Sequence, residues 1–111
     1  MEITFRTKKL QKTCSQQKEA MKACNKAVAG KLMQRLMELS AFENLSQVPH
    51  TPPPGCHELS GKRKGTFAVD LGHPWRLVFA PANDPVPRLE DGGIDKGQVT
   101  AIEIISIEDY H

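Results

Sequence analysis

Val99-Thr100-Ala101-Ile102-Glu103-Ile104-Ile105-Ser106-Ile107, leading straight into Glu108-Asp109-Tyr110-His111, is the stretch that arranges the rest of this 111-residue chain. It is apolar at both parities, with Ile102 and Ile104 on one side of an extended chain and Ile105 and Ile107 on the other. A strand buried on both sides belongs in the middle of a sheet. The polar tetrapeptide is then held at the end of an inner strand, where a chain end otherwise frays into water. A solvated acidic tail is the rival reading, and it gives way only if other polar residues converge on the same place.

Upstream, Pro81 to Gly97 holds three prolines, three glycines and several acids, which predicts an exposed loop or flap. Before it, Trp75 to Ala80 reads as a strand with Trp75, Leu77 and Phe79 on one face and Arg76 and Val78 on the other. Thr66 to Leu71 alternates in the same way. With Cys56-His57-Glu58-Leu59 it forms a hairpin whose turn, Ser60-Gly61-Lys62-Arg63-Lys64-Gly65, is basic at its tip. Phe42 to Gly55 is a loop, because Pro49, Pro52, Pro53 and Pro54 remove donors and fix φ.

Helix formers dominate Lys8 to Ala23, with Leu10, Cys14, Met21 and Cys24 near one face. A second helix, about Asn25 to Ser40, carries the stripe Val28, Leu32, Leu36, Leu39, while Lys31, Arg35 and Glu38 fall outside it and face water or a partner. Asn25 is the natural cap between the two. Glu2 to Arg6 is a short half-buried strand. The sum is an α+β domain spanning residues 1–111, with two N-terminal helices packed on one face of a small, mostly antiparallel sheet.

Composition is that of a globular protein, 39% hydrophobic and 25% charged. No apolar run reaches the roughly 20 residues needed to cross a bilayer, and Met1 to Arg6 lacks a signal peptide's apolar core, so a cytoplasmic location is expected with no membrane partner. Cys14, Cys24 and Cys56 are odd in number and match no zinc ribbon or redox spacing. They read as small buried hydrophobes. A zinc site from Cys56, His57, His73 and His111 has no paired-ligand spacing behind it, and no metal or other cofactor is implied. The net charge of +2 is small, yet Lys62, Arg63, Lys64 and Arg76 gather around the single acid Asp70 between Gly61 and Arg76.

Asp109 and His111 lie two apart, so an unbroken strand points both to one side, where the carboxylate raises or orients the imidazole. Tyr110 offers a ring for stacking and a hydroxyl for proton donation. A guanidinium at Arg76 must emerge on the face opposite Trp75 and find an anion there. With His57, these residues suit metal-free cleavage of an RNA phosphodiester: a base for the 2′-OH, an acid for the departing 5′ oxygen, and positive charge for the phosphorane-like transition state. Lys62, Arg63 and Lys64 would hold the flanking backbone.

Three blocks carry a family resemblance: Cys56-His57-Glu58-Leu59-Ser60-Gly61-Lys62-Arg63-Lys64-Gly65, then Trp75-Arg76-Leu77-Val78-Phe79, then Glu108-Asp109-Tyr110-His111. Together they resemble the RelE/ParE toxin superfamily, HigB type. The helical first half is similar only in kind. The resemblance implies a RelE-like fold and an endoribonuclease that cuts messenger RNA on the translating ribosome, neutralised by a cognate HigA-type helix-turn-helix antitoxin. It implies His57, Asp109, Tyr110, His111 and Arg76 as the catalytic group and Arg63 as an RNA contact. Some relatives place a lysine where this chain has Ser60. A gyrase-poisoning toxin of the same fold and an inactive member that only binds its partner are the rival functions. An antitoxin would need a recognition helix within a helical bundle, which this order of elements does not offer.

Overall fold

The structure, a computed structural model, describes residues 1–109; Tyr110 and His111 lie outside the described residues. Strand β1 (Glu2–Phe5) is followed by helices α1 (Lys8–Ser15), α2 (Gln17–Ala23) and α3 (Lys26–Ala41), then strands β2 (His57–Glu58), β3 (Phe67–Asp70), β4 (Trp75–Pro81) and β5 (Ala101–Asp109). The five strands form one sheet in the order β1-β5-β4-β3-β2. β1 runs parallel to β5, and every other pairing is antiparallel. The apolar stretch leading to the polar tetrapeptide is β5, an interior strand between β1 and β4, as expected.

The helices cover one face. Val28, Leu32 and Leu39 of α3 are buried against Phe67, Val69, Leu77, Phe79, Ile102 and Ile104 of the sheet. The Phe67 and Phe79 rings stack across β3 and β4 at 6.0 Å. The sheet's other face carries only a small apolar floor of Leu59, Ala68 and Val78, with Ile105 against it. Among the described residues none of α1, α2 and α3 contributes to this cluster, so this is the open face of the sheet, although Ala68 and Val78 on it are themselves fully buried.

Three expectations are corrected. The single helix over Lys8 to Ala23 is two, because Gln16 is extended (φ −131, ψ 118). No glycine or proline marks the break. The hydroxyls of Thr13 and Ser15 bond the carbonyls of Lys9 and Gln11, competing with the helix's own amides just before it. The change of phase turns Ala20 fully inward and leaves Met21 41% exposed. Thr7 caps α1 through the Leu10 amide, and Asn25 caps α3 through the Val28 amide at 2.9 Å, as read from sequence.

Arg35 does not face water. It is 3% exposed, its Nε donates to the Asp70 carbonyl at 2.8 Å, and its Nη1 donates to Glu38 at 3.2 Å. A guanidinium placed beside a buried stripe is retained here because the end of β3 offers it a carbonyl. The third correction concerns Pro81 to Gly97, which is not all exposed loop or flap. Ile94 is buried in the main core, Arg88 bridges to Ile94, and Asn83 Oδ1 accepts from the Thr100 and Ala101 amides. Its tip, from Leu89 to Gly92, stays exposed.

Candidate active site

Between β4 and β5 the pairing runs Phe79 to Ile104 and then Val78 to Ser106, so Ile105 has no opposite number. This is a β-bulge, one extra residue on β5. It reverses the parity of everything after it. Ile107, expected beside Ile105, packs instead with the helix-side core opposite Leu77. Ser106 and Glu108 come round to the open face, opposite Val78 and Arg76. Without the bulge Arg76 would face Ile107, and the charged pair would not form.

Arg76 emerges on the face away from Trp75 and Leu77, and the anion it finds there is Glu108, with Arg76 Nη2 to Glu108 Oε1 at 3.3 Å. Arg63 reaches the same carboxylate from the hairpin turn. Its Nη1 donates to Oε1 at 2.8 Å and its Nη2 to Oε2, a bidentate fork. Ser106 Oγ completes the set on Oε2. Glu108 is thus held by three residues from β4, β5 and the hairpin. The hydrogen bonds from Arg63 bring its pKa down from 4.5 to about 2, assisted by Ser106 and Arg76 and opposed by partial burial. The same bond raises Arg63 above its ordinary value.

His57 stands on the same face, since it pairs with Ala68, whose neighbour across β4 is Val78. Its Nδ1 lies 3.0 Å from the Gly55 carbonyl. A carbonyl only accepts, so Nδ1 carries a proton and donates to it, which leaves Nε2 as the ring nitrogen outside this bond. Gly55 fixes this arrangement. It sits at φ +64, and a Cβ on it would lie 2.5 Å from Asp70 Oδ2. With strands about 4.8 Å apart and Arg76 two residues along β4 from the position in line with His57, the two backbone positions lie about 12 Å apart.

Lys62 and Lys64 are exposed on either side of Arg63 at the hairpin turn, which is a 3₁₀ turn from Gly61 to Arg63. Asp109 pairs with Trp75 at the end of β5 and is exposed. Continued alternation after the bulge places it on the side opposite Glu108. Of the residues read as catalytic, His57 and Arg76 therefore share the open face, while Asp109 falls on the other side of β5 at its end. Tyr110 and His111, and with them the expected same-side pair of Asp109 and His111, fall outside the described residues. Arg63 was read only as an RNA contact, yet both its terminal nitrogens are engaged within the protein. Glu108 was passed over among the site residues. Its signal is in the sequence: the isoleucines move from even positions 102 and 104 to odd positions 105 and 107, which is the mark of a one-residue slip as well as of a two-sided strand.

No protein-family model matches the sequence, and no curated protein does. Solved structures do. A YoeB/ParE toxin from Agrobacterium tumefaciens is 10% identical, with all of both chains covered and a TM-score of 0.59. The YoeB–YefM complex from Staphylococcus aureus is 17% identical over all of this chain and 97% of the other, with a TM-score of 0.57. The S. aureus YoeB dimer gives 17% and 0.54 over the same shares. This chain carries the RelE/ParE toxin fold. The three-helix layer, the parallel β1–β5 pair and the antiparallel remainder are thus an arrangement that this chain shares with those proteins at very low sequence identity. Within that toxin fold the open face, with its two arginines and a histidine, is set by this chain's own residues.

Proposed function

We propose that this protein is the toxin of a type II toxin–antitoxin pair and acts as a HigB-type endoribonuclease, cutting messenger RNA on the ribosome in the cytoplasm. The observation that carries the reading is the gathering of His57, Arg63 and Arg76 on the sheet face away from the α3 core, where β5 also brings Glu108. His57 Nε2 takes or returns a proton. Arg76, rooted in β4 and 12% exposed, supplies fixed charge to the phosphorane-like transition state. Lys62 and Lys64 hold backbone phosphates on either side. Asp109, Tyr110 and His111 complete the acid–base set from the strand end. A HigA-type antitoxin is the proposed partner; that a YoeB toxin of similar fold from S. aureus forms a complex with the antitoxin YefM supports an antitoxin as partner.

The test is induced expression followed by mapping of messenger 5′ ends. In-frame cuts at occupied codons, lost in His111→Ala and in a variant lacking Tyr110 and His111, are the expected result. Growth arrest with DNA damage and no cuts would mean a gyrase poison instead. Arrest unchanged in both variants would remove the assignment.

A further inference from the structure

Glu108 holds its two arginines in the way a phosphodiester would. Its Oε1 accepts from Arg63 Nη1 and Arg76 Nη2, and its Oε2 accepts from Arg63 Nη2 and Ser106 Oγ. The two non-bridging oxygens of a phosphodiester present a similar pair of acceptors with a single negative charge between them. Glu108 occupies the Nη1–Nη2 edge of Arg63, two of the guanidinium's five N–H donors, so an RNA phosphate takes that same edge only after Glu108 lets go of it.

The two arginines differ in freedom. Arg63 is 41% exposed on a turn, and Arg76 is 12% exposed on an inner strand. The mobile partner of the exchange is therefore Arg63, and Glu108 stays with Arg76 and Ser106. The three charged side chains sum to +1, and while the fork is closed Glu108 takes up the Nη1–Nη2 edge of Arg63. This keeps the free protein's affinity for bulk RNA low until a substrate phosphate competes for Arg63.

We propose that Glu108 is an internal phosphate mimic that masks Arg63 in the free protein, and that an RNA phosphodiester takes over the Arg63 fork on binding. The inference rests on the nuclease reading for the identity of its ligand, but its measurement does not need cleavage. Glu108 touches no reacting atom and acts through Arg63, so it is a positioning residue.

The probe is a short, fluorescently labelled single-stranded RNA with 2′-O-methyl riboses, titrated with the full-length protein at several salt concentrations. Glu108→Gln is expected to tighten binding on the order of five- to tenfold at low salt, and to steepen the slope of log K against log salt by about 0.7, one more phosphate neutralised on a single strand. The gain must disappear when Glu108→Gln is combined with Arg63→Ala. Glu103→Gln, on the same strand and paired with the single exposed Arg6, is the control and is expected to change little. Ser106→Ala leaves the carboxylate charged but removes its anchor, and should give a smaller gain of the same kind; it serves if the Gln variant melts at the assay temperature.

Tighter binding that persists in the Arg63→Ala background would show a bulk charge effect and overturn the inference. So would weaker binding by Glu108→Gln, which would make Glu108 a strut that shapes the site. No binding by any variant overturns it as well. Mapped messenger cuts in cells with no Arg63-dependent gain in vitro leave the nuclease reading standing and remove this one. The gain without any cuts removes the nuclease and leaves a self-masked anion site.

Discussion

Glu108→Gln keeps the length and shape of the side chain while removing the charge shared by Arg63, Arg76 and Ser106, so it reports what that charge contributes to folding. The carboxyl lies at about 2 in the folded protein against 4.5 for the unperturbed group. Converted in full, a difference of that size corresponds to about 3 kcal/mol. Arg63 is 41% exposed, so solvent screens most of the effect and about 1 kcal/mol is the expected contribution. A carboxylate with a depressed folded pKa stabilises fully above its unfolded value, and the stabilisation is lost as pH falls towards the folded one. The window here therefore runs from about 4.5 down to about 2.

At pH 6 the Gln variant should melt about 4 °C below the parent, and the gap should close steadily between pH 4.5 and pH 2. Paired thermal melts followed by circular dichroism at constant salt measure this directly, because the other carboxylates titrate in both proteins and cancel in the difference. A gap that stays constant down to pH 2.5, or no gap at pH 6, would refute the assignment of the ion-paired cluster as a source of stability.

Gly55→Ala should cost about 1–3 kcal/mol in urea denaturation, since it forces a side chain into positive φ against the Asp70 carboxylate, and should lower cleavage by disturbing the carbonyl that orients His57. Arg35→Ala leaves the Asp70 carbonyl without its donor in a buried place and empties the guanidinium's volume; a loss of about 2–4 kcal/mol is expected by the same assay. Burial pushes the thiols of Cys14 and Cys56 up to about 11, with the neighbouring Cys24 adding to the first and Lys96 opposing in the second. Alkylation at pH 7.5 followed by mass spectrometry should therefore leave both unlabelled until urea unfolds the protein, and labelling at the native rate of a free thiol would show that neither is packed.

The order of elements was legible along the chain because each signal is local. Period-two alternation marked β3 and β4, the Asn25 cap and the Val28, Leu32, Leu39 stripe marked α3, and prolines marked the loop before His57. The break at Gln16 was not legible, since hydroxyls bonding back to the helix leave no mark as clear as a glycine or proline. Arg35 was misread for a related reason. Helical position placed it at the margin of the apolar stripe, and only the neighbouring β3 carbonyl made burial tolerable.

The closing strand shows where sequence stops and tertiary structure begins. Its run of isoleucines by itself marked it as a strand of the sheet's interior delivering a polar end, although the change of parity within that run comes from a bulge and not from burial on both sides. Which side each residue faces was decided only in the sheet, where β5 accommodates β4 by leaving Ile105 unpaired. That single extra residue turns Glu108 from the helix side to the open face and sets it between Arg63 and Arg76. A register is a relation between two strands, and no reading of one strand by itself contains it.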